Sequence, residues 1–92
     1  MLLILTYDIY NVSDRRRVLT SVYNICSRYL FRIQKSVFIG NLTKPLYKEL
    51  RTEIESVIDV DVDSIMIVKL MNKNNAKIDF FGKDDYFNNI IL

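Results

Sequence analysis

Apolar residues open the chain in an unbroken run, Leu2-Leu3-Ile4-Leu5, which continues to Tyr7 and closes on Asp8. A short branched run without alternation predicts a strand buried on both faces and therefore central in its sheet. Past the polar stretch Asn11–Asp14, apolar residues recur at Val18, Leu19, Val22, Tyr23, Cys26, Tyr29 and Leu30. That is helical spacing over about four turns, and either Ser13 or Asp14 can serve as its N-cap. From Phe31 to Leu42 the pattern becomes strand-like, loses parity at Lys35-Ser36 and resumes at Val37-Phe38-Ile39. Such a break marks either a tight reversal or a bulge. Gly40-Asn41 ends the segment, and Thr43 with Pro45 behind it marks the start of a second helix. Its stripe is Leu46, Leu50, Ile54 and Val57.

Asp59-Val60-Asp61-Val62-Asp63 reads as an acidic connector whose valines can extend the following strand. Ser64 to Met71 predicts another buried strand, Asn72–Asn75 a turn, and Lys77 to Phe81 a short strand ended by Gly82. The order strand, helix, strand (or hairpin), helix, strand, strand is that of an α+β, ferredoxin-like split β-α-β sandwich, with both helices on one face of an antiparallel sheet and a C-terminal strand or tail. Residues 1–92 read as a single domain of this kind. Two helices cover only one face of the sheet, so the other needs a partner, and the expectation is a homodimer packed sheet to sheet. The apolar end Ile90-Ile91-Leu92 either adds a strand to the second protomer or frays.

Composition changes the picture by subtraction. The 92 residues include no His, which removes imidazole as base, shuttle or metal ligand. The single Cys26 excludes an intramolecular disulfide and a Cys-rich zinc site and fits a reducing cytoplasm. What remains is carboxylate chemistry with a hard, oxygen-seeking metal, or no chemistry. The apolar start lacks a basic leader and soon meets Asp8, so a signal sequence is not expected. No run reaches the roughly 18 to 20 apolar residues of a membrane span.

Thirteen Lys and Arg oppose eleven Asp and Glu, a net charge of +2 that conceals an uneven distribution. Residues 1–50 hold eight bases and three acids, whereas residues 51–92 hold five bases and eight acids. The basic half is compatible with a polyanionic partner. Arg15-Arg16-Arg17 falls in the first turn of the first helix, where the macrodipole disfavours cations. Three arginines there suggest an anion outside the helix, such as a phosphate backbone, or else a solvated patch offset by Asp14. Arg32, Gln34, Lys35 and Ser36 place donors in an otherwise apolar region. They are either phosphate contacts or the solvent side of a hairpin. Asp8, where a buried strand leaves for a loop, is either a turn residue or a metal-binding carboxylate, and a twofold dimer would bring two such groups toward one axis. Phe31, Phe38, Phe80 and Phe81 lack the stacking signature of an RNA-recognition module and are expected mostly in the core.

Taken together, these segments resemble the CRISPR-associated Cas-two family. The resemblance is carried by Tyr7-Asp8-Ile9, the basic start of the first helix, Arg32-Ile33-Gln34-Lys35-Ser36-Val37-Phe38-Ile39-Gly40, and Asp63-Ser64-Ile65-Met66-Ile67. It covers nearly the whole chain, and the Arg-x-Gln-x-Ser-Val-Phe run is its most specific part. It implies a cytoplasmic prokaryotic homodimer that works with a CRISPR integrase subunit on duplex DNA during spacer acquisition. It also implies a magnesium-dependent or manganese-dependent endonuclease acting on RNA or DNA, with Asp8 as metal-binding and catalytic residue. Arg15, Arg16, Arg17, Arg32 and Lys35 then become candidate phosphate contacts. Two alternatives accompany it: a DNA-binding scaffold whose nuclease activity is incidental, and a toxin ribonuclease of the virulence-associated protein D type. Two positions depart from the family pattern. Leu30 stands where members often have Gly after the first helix, and Ile39 stands where they often have Glu.

Overall fold

A computed structural model describes residues 1–72, 77–79, 81 and 82. Strand β1 (Leu2–Asp8) leads to helix α1 (Arg16–Tyr29), the hairpin β2 (Phe31–Gln34) and β3 (Val37–Asn41), helix α2 (Lys44–Glu55) and strand β4 (Ser64–Leu70). The strands pair antiparallel in the order β2-β3-β1-β4. This is the ferredoxin-like α+β arrangement, and β1 is central as its continuous apolar run requires.

Alternation along β1 divides the sheet into two surfaces. Leu3, Leu5, Tyr7 and, just past the strand, Ile9 pack with Val22, Ile25, Cys26, Leu30, Phe38, Leu50 and Ile54 into the main core beneath the helices. Leu2 and Ile4 face the other way and join Ile33, Ile39, Val37 and Leu70 in a smaller cluster on the open face. The parity break at Lys35-Ser36 is a tight reversal, and the register also shifts between Arg32 and Gln34, so hairpin and bulge occur together. Thr43 caps α2 by accepting a hydrogen bond from the Leu46 amide, with Pro45 in the first turn. Leu30, in place of the usual Gly, ends α1 in an extended conformation, its amide donating to the Cys26 carbonyl at 2.8 Å.

Several expectations from the sequence are corrected. The residue at the start of α1 is Arg15, with no side-chain cap. Ser13 and Asp14 belong instead to a turn opened by Asn11, which holds a positive φ of 50°, a conformation that Asn tolerates. β4 is not buried: it lies at the sheet edge, and Met66 is 60% exposed on the side of the sheet that neither α1 nor α2 covers. Leu46 is exposed and falls outside the buried stripe of α2, while Leu50 and Ile54 are buried. Val60 and Val62 are exposed in a turn and do not extend β4, since the chain folds back to donate the Val62 and Asp63 amides to the Asp59 carbonyl. Of the described phenylalanines only Phe38 is in the core; Phe31 lies exposed on the open face, and Phe81 is exposed as well. Lys77–Asp79 forms no strand, and Ile78 packs on the open-face cluster. The expectations for Asn74, Asn75, Phe80 and the tail Tyr86–Leu92 lie outside the described residues.

Candidate nuclease site

Asp8 is the last residue of β1, opposite Ser64 on β4. It follows Leu2, Ile4 and Thr6 on the open face, at the end of the sheet where β1 passes into the loop toward α1. Its carboxylate is exposed and has no hydrogen-bond partner among the described residues. Nor do three or more metal-ligating side chains cluster anywhere among the described residues. Among the described residues, Asp8 is thus offered without a group of three or more ligating side chains around it. That donor set suits magnesium, which takes one or two carboxylates and completes its shell with water and phosphate oxygens.

Flanking bonds fix the backbone around Asp8. Before it, Tyr7 sends its ring into the core against Phe38 and donates its hydroxyl to the Lys35 carbonyl at 3.3 Å. Burial raises the affinity of the Tyr7 phenol for its proton, so it stays a donor at neutral pH. The Tyr7 amide donates to the Ser36 carbonyl at 3.2 Å, which fastens the hairpin turn to β1. Arg32 lies over the Tyr23 ring, 5.0 Å from its centroid, and donates to the Gln34 and Lys35 carbonyls. The turn therefore presents the exposed Lys35 at the same end of the sheet as Asp8.

After Asp8, an ion pair closes the loop. The Asp63 side chain is wholly buried and takes both arms of the Arg15 guanidinium, at 2.5 and 2.6 Å. It also accepts the Tyr10 and Asp59 amides, each at 2.9 Å. Hydrogen bonding from Arg15 holds the Asp63 carboxyl well below the usual carboxylate range, opposed by burial. Sequence reasoning missed Asp63, which looks like its neighbours Asp59 and Asp61. The available signal was the run of arginines at the unfavourable helix end, which called for an anion. For Arg15 that anion is within the chain.

The structure thus separates the candidate phosphate contacts. Arg16 and Arg17 are exposed in the first turn of α1, with no ion pair to another described residue. Arg32 and Lys35 belong to the hairpin, and Arg15 is turned onto Asp63. Residues 1–78 match the family model for CRISPR associated protein Cas2. The chain belongs to the Cas2 family.

Among its Cas2 relatives, the "CRISPR-associated endoribonuclease Cas2" of Fusobacterium nucleatum is 33% identical over 82 residues, covering 89% of this chain and 77% of that one. The "CRISPR-associated endonuclease Cas2" of Halalkalibacterium halodurans is 32% identical over 83 residues, covering 89% and 86%. The crystal structure of Streptococcus pyogenes Cas2 superposes with a TM-score of 0.77 at 27% identity, covering 89% of this chain and all of the other. A further Cas2 crystal structure gives 0.74 at 33% identity, covering 92% and 90%. Both carry the fold described above. No helix among the described residues is long and apolar enough to cross a membrane.

Proposed function

We propose that this chain is a metal-dependent endonuclease of the CRISPR adaptation machinery, working as a homodimer in the prokaryotic cytoplasm. The observation that carries the reading is the place of Asp8: an exposed carboxylate, without a hydrogen-bond partner among the described residues, at the end of an apolar sheet face that neither α1 nor α2 covers. Two copies packed through that face would each bring one Asp8 toward the dyad. The names of the relatives, endoribonuclease and endonuclease, support the activity.

Asp8 and its mate would hold magnesium or another divalent cation such as manganese. When bound, the ion would stabilise negative charge on the scissile phosphate and activate a water. The chain's own residues supply position. Arg16, Arg17 and Lys35 would bind flanking phosphates, and Arg32 would support the turn that carries Lys35. Phosphodiester hydrolysis of single-stranded RNA or duplex DNA is the reaction class.

A second reading is favoured by the absence of a group of three or more metal-ligating side chains among the described residues and by the absence of His from the chain. Here the dimer binds duplex DNA beside a CRISPR integrase subunit as a scaffold, and cleavage is incidental. Labelled RNA and duplex DNA incubated with the purified protein separate the two. Products formed with magnesium and abolished by EDTA support the nuclease; intact substrates with retained duplex binding leave the scaffold.

A further inference from the structure

The Arg15–Asp63 pair differs in kind from the other ion pairs of the described residues. Arg28–Glu53 and Arg51–Glu55 lie on the surface, where such pairs contribute little. Asp63 is the one charged residue buried among the described residues, and each of its oxygens is used. A buried ion pair is a weak source of stability, because desolvation offsets much of the attraction; its better-attested use is to select one geometry.

The geometry selected is that of the residues after Asp8. Asp63 Oδ1 accepts the Tyr10 amide at 2.9 Å, and Arg15 Nη1 donates to the Tyr10 carbonyl, also at 2.9 Å. Both backbone groups of Tyr10 are therefore held by the pair, although the Tyr10 side chain is exposed and cannot anchor the loop by packing. Asp63 immediately precedes Ser64, the register partner of Asp8. The same carboxylate thus sits at the start of the strand that pairs with Asp8 and on the backbone two residues beyond it. Ile9, between them, is buried in the main core. The Asp8 carboxylate has no side-chain partner of its own among the described residues, so its direction is set by its backbone.

From this arrangement we propose that Asp63, through Arg15 and Tyr10, is a positioning residue that aims Asp8 at the metal it shares with its twofold mate. The proposal rests on the assignment of Asp8 above. Loss of the pair would leave β1 and the core intact and release the loop that begins at Ile9. The two Asp8 carboxylates would then meet the cation less well ordered, while phosphate binding by Arg16, Arg17 and Lys35 would persist.

The test compares wild type, Asp63→Asn, Arg15→Lys, Asp8→Asn and Val22→Ala as full-length dimers. Val22 lies in the core of α1 and controls for lost stability. Manganese affinity is read by electron paramagnetic resonance, and magnesium-dependent cleavage is split into kcat and KM. Asp63→Asn is expected to weaken manganese binding and lower kcat by about tenfold or more, the usual effect of losing a group that orients a ligand. KM for nucleic acid should change by less than about twofold, since the phosphate-binding side chains remain. Arg15→Lys, which keeps the charge and loses the fork, should fall between wild type and Asp63→Asn, and it serves alone if Asp63→Asn does not fold. Wild-type manganese affinity and kcat in both clamp variants, alongside an inactive Asp8→Asn, would overturn the positioning role alone. If Asp8→Asn itself binds manganese and cleaves like wild type, the assignment of Asp8 fails and the proposal falls with it.

Discussion

Leu30 closes directly over Gly40. A Cβ added to Gly40 would lie 2.9 Å from Leu30 Cδ2 and 3.5 Å from its Cα, so the extended cap of α1 and the β3 backbone approach each other at a position that lacks a side chain. Gly40→Ala should therefore destabilise the protein by about 1 kcal/mol or more. Because the first atom met is the end of a side chain, Leu30→Ala should relieve part of that cost. Urea unfolding of the two single variants and the double variant reads the coupling; additive losses would place the conflict elsewhere.

The Asp63 carboxyl gives stability a definite pH dependence. Its folded proton affinity is depressed, mainly by the Arg15 hydrogen bonds, relative to about pH 3.9 for an unfolded Asp. The stabilisation is thus present above about pH 4 and is lost progressively as pH falls toward the folded value. Asp63→Ala should lower the urea midpoint at pH 6, because it leaves the Arg15 guanidinium and the Tyr10 and Asp59 amides without their acceptor. The gap between wild type and variant should narrow as pH is lowered from about 4 to 2.5. Urea midpoints across that range measure it, and a gap that widened on acidification would have the wrong sign.

Val68 and Ile4 face each other on the open side of the sheet, and Val68 is exposed in the single chain. A lysine at this position should be harmless to the isolated fold and incompatible with a dry sheet-to-sheet contact. Val68→Lys is expected to convert the proposed dimer to monomer in sedimentation analysis while leaving far-ultraviolet dichroism unchanged.

Arg16→Glu combined with Arg17→Glu should weaken duplex binding and flatten its salt dependence by about one unit of slope for each phosphate that is no longer neutralised. The melting temperature should hold or rise, since acids suit the N-terminal turn of a helix. Arg15→Glu should instead unfold the loop and lower the melting temperature, because it places a second acid against buried Asp63. Titrations at several salt concentrations, paired with thermal scans, distinguish the two kinds of arginine.

Much of this architecture is legible in the sequence because local periodicity governs it. The buried run Leu2–Tyr7, the α1 spacing and the Thr43–Pro45 start of α2 each follow from short-range pattern, and each forms as expected. Asp8 at a strand end is legible too. The edge position of β4 is less so, since Ser64–Leu70 has the composition of a buried strand and its outer side lies on the face that neither α1 nor α2 covers. Asp63 is the least legible. Within Asp59–Asp63 the acids alternate with valines, and only a hydrogen-bonded pairing across 48 residues picks out the one that is buried.

Cleavage by the proposed nuclease should depend on Asp8, and its replacement by Asn is the decisive comparison. Wild type and Asp8→Asn, matched for dimer content and melting temperature, are assayed at saturating magnesium on single-stranded RNA and duplex DNA. The expected result is a fall in kcat of about a hundredfold or more in the variant while nucleic-acid affinity is retained. Equal rates for the two proteins would contradict it.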